Sequence, residues 1–178
     1  ATAWAQAGYT VLAVQPLQAD EAAWRSELAR TGDFRELGRL HYGDALRAER
    51  LAALRRLLPA LQAAQPALDW RHAALAGYET GAQTALDARG DAGWQAVIAI
   101  SPPAMQAPAA GSATLLVTSD VDGDPLGLLH LPAERRQAFD TLPAGSRVWL
   151  LTLGGVSHAT LAGTLAPDGW HAQDQHRG

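Results

Sequence analysis

The sequence contains no cysteine and no lysine. The first absence excludes disulfide frameworks, zinc–thiolate sites and thiol catalysis, and it does not choose between compartments. The second leaves all 14 basic residues as arginine, against 18 acidic residues and a formal net charge of −4. Together with the heavy use of alanine, that bias points to genome composition rather than to chemistry. The arginines are scattered, and no clustered basic face is visible, so no nucleic-acid partner is expected. No apolar run approaches the roughly 20 residues of a membrane span, so no span is expected. No leader is visible either. The chain starts at Ala1 rather than at methionine and runs straight into an element, as though residues upstream had been removed.

What is present is a hydrophobic content of 48% over 178 residues, which suits one globular domain able to bury a core without metals or disulfides. Residues 2–7 read as the end of a helix stopped at Gly8, and Tyr9 to Val14 (YTVLAV) reads as a strand. Glu21 to Arg30 reads as helix, and Thr31 to Gly43 as irregular. Asp44 is a plausible cap for a helix from Ala45 to Ala64, in which Pro59 should kink or break the last turns. His72 to Ala76 is short and apolar, and its type stays open. Ala82 to Ala88 reads as helix, Ala96 to Ile100 as strand, Thr114 to Thr118 as strand, Leu131 to Asp140 as helix and Arg147 to Leu153 as strand. Continuous apolar strands alternating with helices predict an α/β fold with a mostly parallel sheet covered on both faces.

Three segments follow predicted strands, where parallel sheets gather ligands and catalytic groups. The first is Gly77-Tyr78-Glu79-Thr80-Gly81, a sharp strand-to-helix turn whose glycines leave space on either side of the middle residue. The second is Thr118-Ser119-Asp120-Val121-Asp122-Gly123-Asp124-Pro125. The third is Gly154-Gly155-Val156-Ser157-His158.

In this order the segments resemble the nucleophile elbow, acid loop and histidine loop of α/β-hydrolases. The wording LAGYETGAQTAL, AVIAISPP, TLLVTSDVDGDP and LLTLGGVSHATLAG is similar to bacterial dienelactone-hydrolase-like and acetylhydrolase-like esterases, and AQAGYTVLAVQP to the helix and strand after their oxyanion loop. The resemblance implies a single α/β-hydrolase-like domain over residues 1–178, incomplete at both ends, without the N-terminal strands and the final helix. It implies His158 as the general base and Asp122 as the acid that orients it, with Asp120 and Asp124 as neighbours of the same type. Thr80 would offer an oxyanion backbone N–H, and Tyr78 would border the ligand. An ester-like small molecule, no cofactor, no metal and a bacterial cytoplasm or periplasm are the matching expectations.

Glu79 departs from the pattern, because it stands where the family has a nucleophilic serine. A carboxylate has no hydroxyl for His158 to deprotonate, which closes the serine acyl-enzyme route. Three readings follow. The chain is a pseudo-hydrolase that acts by binding, with Glu79 at the helix N-terminus and paired to His158. Alternatively it hydrolyses esters or carbon–halogen bonds through Glu79 and His158. Or Glu79 is an engineered replacement of serine. The aspartates 120, 122 and 124 superficially match the start of a calcium loop, but Leu131 stands where the closing glutamate belongs. His171, Asp174 and His176 read as a solvated tail rather than a metal site.

Overall fold

A computed structural model describes residues 2–14, 25–108, 110–124 and 130–163. Four short apolar runs become strands: β1 (Ala74–Tyr78), β2 (Ala96–Ile100), β3 (Ala113–Ser119) and β4 (Val148–Leu153). They lie in the order β1-β2-β3-β4, and every neighbouring pair is parallel. All four C-terminal ends therefore open on the same edge of the sheet. The fold is α/β, as the alternation of strands and helices predicts.

The helices among the described residues are α1 (Thr2–Gln6), α2 (Glu27–Thr31), α3 (Phe34–His41), α4 (Asp44–Ala64), α5 (Thr80–Asp87), α6 (Gln137–Asp140) and α7 (His158–Leu161). Strand register aligns Gly77, Ala99, Leu116 and Leu150 in one row across the sheet. On that face Ala82 and Leu86 of α5 meet Ala99, Leu116, Met105 and Ala138, with Phe139, Val148 and Leu150 at the margin. The residues of α5 and β1 at the contact are small, so the helix lies close to the sheet. Leu86 and Leu116 are fully buried, which stabilises the fold by about 1.5–3 kcal/mol for each side chain. The row on the other face, Ala76, Ile98, Leu115 and Trp149, is less covered by the described residues, and Trp149 is 58% exposed.

Several expectations from sequence change here. Tyr9 to Val14 form no strand, and Tyr9, Leu12 and Val14 are exposed; an apolar run stays a strand only with a ladder partner. The stretch read as irregular holds α3, which starts because the Asp33 side chain accepts from the Glu36 N–H. Pro59 sits inside α4 without ending it, and Gly43 caps that helix, so Asp44 is its first residue. Leu131 to Asp140 is not one helix: a single tight turn over Glu134–Arg136 leads into α6. The helix expected from Glu21 survives as α2, and residues 21–24 lie outside the described residues. So do Pro125 of the acid loop and His171, Asp174 and His176.

Candidate functional site

The turn from β1 to α5 is built around Glu79, whose φ of 55° and ψ of −118° lie where a residue with a Cβ is strained. Such a backbone costs about 1–3 kcal/mol and persists only when its surroundings force it. Part of the force is visible. A Cβ on Gly77 would come within 2.1 Å of the Gly81 carbonyl oxygen, so β1 runs directly against the first turn of α5. The Glu79 N–H donates to the Ile100 carbonyl at 3.1 Å, tying the turn to the end of β2. The second glycine is different: a Cβ on Gly81 would meet nothing within 4 Å. Close approach therefore requires only the first of the two flanking glycines.

The acid and histidine loops converge on this turn. His158 is the first residue of α7, whose cap is Ser157, its hydroxyl accepting from the Thr160 N–H. The His158 Nδ1 lies 2.8 Å from Asp122 Oδ1, and its Nε2 lies 3.3 Å from Glu79 Oε1. Both ring nitrogens thus face carboxylate oxygens, which only accept, so the two contacts are satisfied together when each nitrogen carries a hydrogen. Asp122 is fully buried. Asp120 instead accepts from the Gly155 N–H at 2.7 Å, holding the histidine loop. The Asp124 N–H donates to the His130 carbonyl at 2.9 Å. Of the three aspartates, Asp122 is the one against His158. They have separate partners, and the described residues contain no cluster of three or more His, Asp or Glu able to hold a metal.

Tyr78 and Thr80 border Glu79 from the two sides. The Tyr78 hydroxyl donates to the His158 carbonyl at 3.0 Å, and its ring lies 5.1 Å from the imidazole. Burial, and then the charges of Glu79 and Asp122, push its phenol well above the ordinary tyrosine range, so it stays a donor. Thr80 opens α5, and the N–H groups of a first helical turn have no partner within the helix. Glu79 is the N-cap residue of α5, but its side chain makes no capping bond. It reaches across to charged partners instead.

The dominant partner is Arg135, which sequence reasoning missed. Its side chain is 0% exposed, and Nη2 donates to Glu79 Oε1 at 3.0 Å. Nε donates to the Asp122 carbonyl at 2.8 Å and lies 3.4 Å from Asp122 Oδ1, and Nη1 donates to the Ser101 carbonyl at 2.9 Å. One guanidinium therefore ties the ends of β1, β2 and β3 together. Ser101 was also missed. It is fully buried with a φ of 52°, donates to Asp122 Oδ1 at 2.8 Å and lies 2.9 Å from His158 Nδ1. Its place right after β2 was the available signal, by the same strand-end rule that marks Glu79 and Asp122. Nothing in the sequence separates Arg135 from Arg136, which pairs on the surface with Asp140.

Tyr42, at the end of α3, closes the other side. Burial, and next the Glu79 charge, hold its phenol far above the ordinary range. Chemically, the site is a strained carboxylate held by a guanidinium and an imidazole. Ser101 has a hydroxyl but is sealed from solvent and faces the Asp122 side of the ring.

No family model matches the chain, and no curated protein matches it. A solved structure, a poly(3-hydroxybutyrate) depolymerase from Bordetella parapertussis, is similar at 17% identity and a TM-score of 0.47. The match covers 70% of this chain and 60% of that one, so the chain spans less than two thirds of the depolymerase. Among the described residues no helix is long and apolar enough to cross a membrane.

Proposed function

We propose that this chain is an α/β-hydrolase-like protein, close in local sequence to dienelactone-hydrolase-like esterases, that has given up serine chemistry and acts by binding. The observation that carries this reading is the Glu79–Arg135 pair, with Nη2 and Oε1 3.0 Å apart and the arginine fully buried. A carboxylate oxygen held by a guanidinium and an imidazole is a poor nucleophile, and it has no proton for His158 to take. Glu79, Asp122 and His158 keep the triad order and meet at one edge of the sheet, and Tyr78 and Thr80 flank Glu79 in the chain. The test is hydrolysis of p-nitrophenyl acetate by the parent and by Glu79→Ser. The parent is expected to be inactive and Glu79→Ser to gain His158-dependent turnover. Turnover by the parent that disappears in His158→Ala would overturn the reading.

A second reading draws on Glu79 Oε2, the carboxylate oxygen without a hydrogen-bond partner among the described residues. That oxygen would attack an acyl carbon or a carbon–halogen carbon and expel alkoxide or halide. The resulting covalent intermediate on Glu79 would then be hydrolysed by water. A substrate-sized mass increment on the peptide containing Glu79 would support it, and a clean spectrum under turnover conditions would remove it.

A further inference from the structure

Among the described residues only Glu79 and Ser101 combine a side chain with a positive φ, and each directly follows a strand, β1 and β2. Ser101 has a φ of 52° and is fully buried. Its N–H donates to the Val117 carbonyl at 2.7 Å, and its carbonyl accepts from Arg135 Nη1 at 2.9 Å, so the turn is held from both sides. Glycine would adopt that turn without strain. A strained residue with a side chain, sealed at a site, directs attention to what the side chain touches.

The Ser101 hydroxyl touches the acid and the histidine together. Oγ lies 2.8 Å from Asp122 Oδ1 and 2.9 Å from His158 Nδ1, while Nδ1 and Oδ1 are themselves 2.8 Å apart. The three atoms form a closed triangle. The hydroxyl brings one hydrogen, and a carboxylate oxygen brings none. Placed on Nδ1, that hydrogen would leave Asp122 bonded to neither neighbour. Placed on Oδ1, it leaves the contacts of His158 to be bonded by a hydrogen on Nδ1 itself, directed between Oγ and Oδ1. Asp122 alone would hold this N–H by one bond, about which the imidazole can pivot. Two acceptors fix the plane of the ring, and with it the direction of Nε2, which lies 3.3 Å from Glu79 Oε1.

We infer that Ser101 is a positioning residue for His158: its hydroxyl and Asp122 together keep the hydrogen on Nδ1 and aim Nε2 at the side chain of position 79. Ser101 is sealed from solvent and acts through the imidazole, not on a ligand. The apparatus that orients the histidine is thus intact, and the residue it serves has changed. The consequence for catalysis rests on the reading that Glu79 occupies a serine's place; the placement of the ring does not.

In the whole chain, labelled with nitrogen-15, exchange of the His158 Nδ1–H with solvent would be followed alongside the backbone amide of buried Leu116. The parent should show a slowly exchanging Nδ1–H. Ser101→Ala and Ser101→Gly should each speed its exchange about tenfold, the scale of one hydrogen bond to a charged group, and leave the Leu116 amide protected. Glycine suits the backbone at 101, so acceleration in Ser101→Ala alone would trace to strain and overturn the inference. No slow Nδ1–H in the parent, unchanged exchange in both variants, or equal acceleration at Leu116 would overturn it as well. In Glu79→Ser, adding Ser101→Gly should lower kcat for p-nitrophenyl acetate about tenfold and leave KM within about twofold. A loss confined to KM would count against positioning. Absence of turnover in Glu79→Ser itself would remove the pseudo-hydrolase reading, while the exchange rates still decide the role of Ser101, so the two failures are distinguishable.

Discussion

Among the described residues two arginines are no more than 1% exposed, one at each end of the sheet, and they are held in opposite ways. Arg89 lies near the start of β3, 1% exposed, and donates to the Pro108 carbonyl at 2.6 Å, the Ser112 carbonyl at 3.3 Å and the Thr114 hydroxyl at 3.2 Å. None of these partners is charged, and burial lowers its pKa. Arg135 lies at the strand C-termini, equally hidden, and faces the carboxylates of Glu79 and Asp122 as well as three backbone carbonyls. Neutral oxygens are sufficient to pin a loop. The carboxylates at the other end therefore do something that loop anchoring does not require, which is what marks that end as a site.

The comparison can be broken most forcefully at Arg135. Arg135→Met leaves two buried carboxylates without their cation and should destabilise the protein by about 3–5 kcal/mol, read from denaturant midpoints. Much of that loss should disappear in a Glu79→Gln background; an undiminished loss would show that charge pairing is not what Arg135 supplies. Arg89→Met should cost less, about 1–3 kcal/mol for the unmatched carbonyls, and should add to Glu79→Gln without coupling, since the two sites share no partner.

His130 sharpens the contrast through pH. In the folded state its pKa is lowered from 6.5, by burial first and by Arg135 second. The unfolded chain therefore binds the extra proton as pH falls through about 6.5, so this contribution to stability is present above that value and is lost below it. Urea midpoints measured from pH 7.5 down to pH 5 should fall less steeply for His130→Phe than for the parent. The smallest effect belongs to the arginine next in sequence. Arg136 pairs with Asp140 at the exposed surface, and Arg136→Ala should leave Tm within the error of the melt.

The sheet was largely legible from sequence because β2, β3 and β4 are continuous apolar runs, although β4 leaves Trp149 and Leu151 exposed among the described residues. The strand-end rule then located Glu79, Asp122 and His158, and geometry selects Asp122 among three aspartates because it alone reaches the imidazole. What sequence did not disclose depends on approach in space. Arg135 and Arg136 are adjacent and chemically identical, and only the tertiary fold decides which one is sealed in. Tyr42 and His130 are separated by 88 positions (130 − 42) along the numbering and meet ring against ring. Tyr9 to Val14 has strand chemistry without a ladder partner, so propensity alone misled. The start of α3 was readable in principle, since Asp33 and Glu36 have the spacing of a side-chain cap, but Gly32, Gly38 and Gly43 obscured it.

The charged residues at the edge of the sheet occupy positions 79, 122, 135 and 158, so hardly any of their mutual contacts are local in the chain. Closing such long loops is slow, and nothing rewards it until the strands that carry the residues have found their register. The His158–Glu79 contact spans the whole set and should be among the last to form during folding. An imidazole signal from His158 in its bonded state would then serve as a clock for completion of the sheet, separating chains that have merely collapsed from chains that have finished.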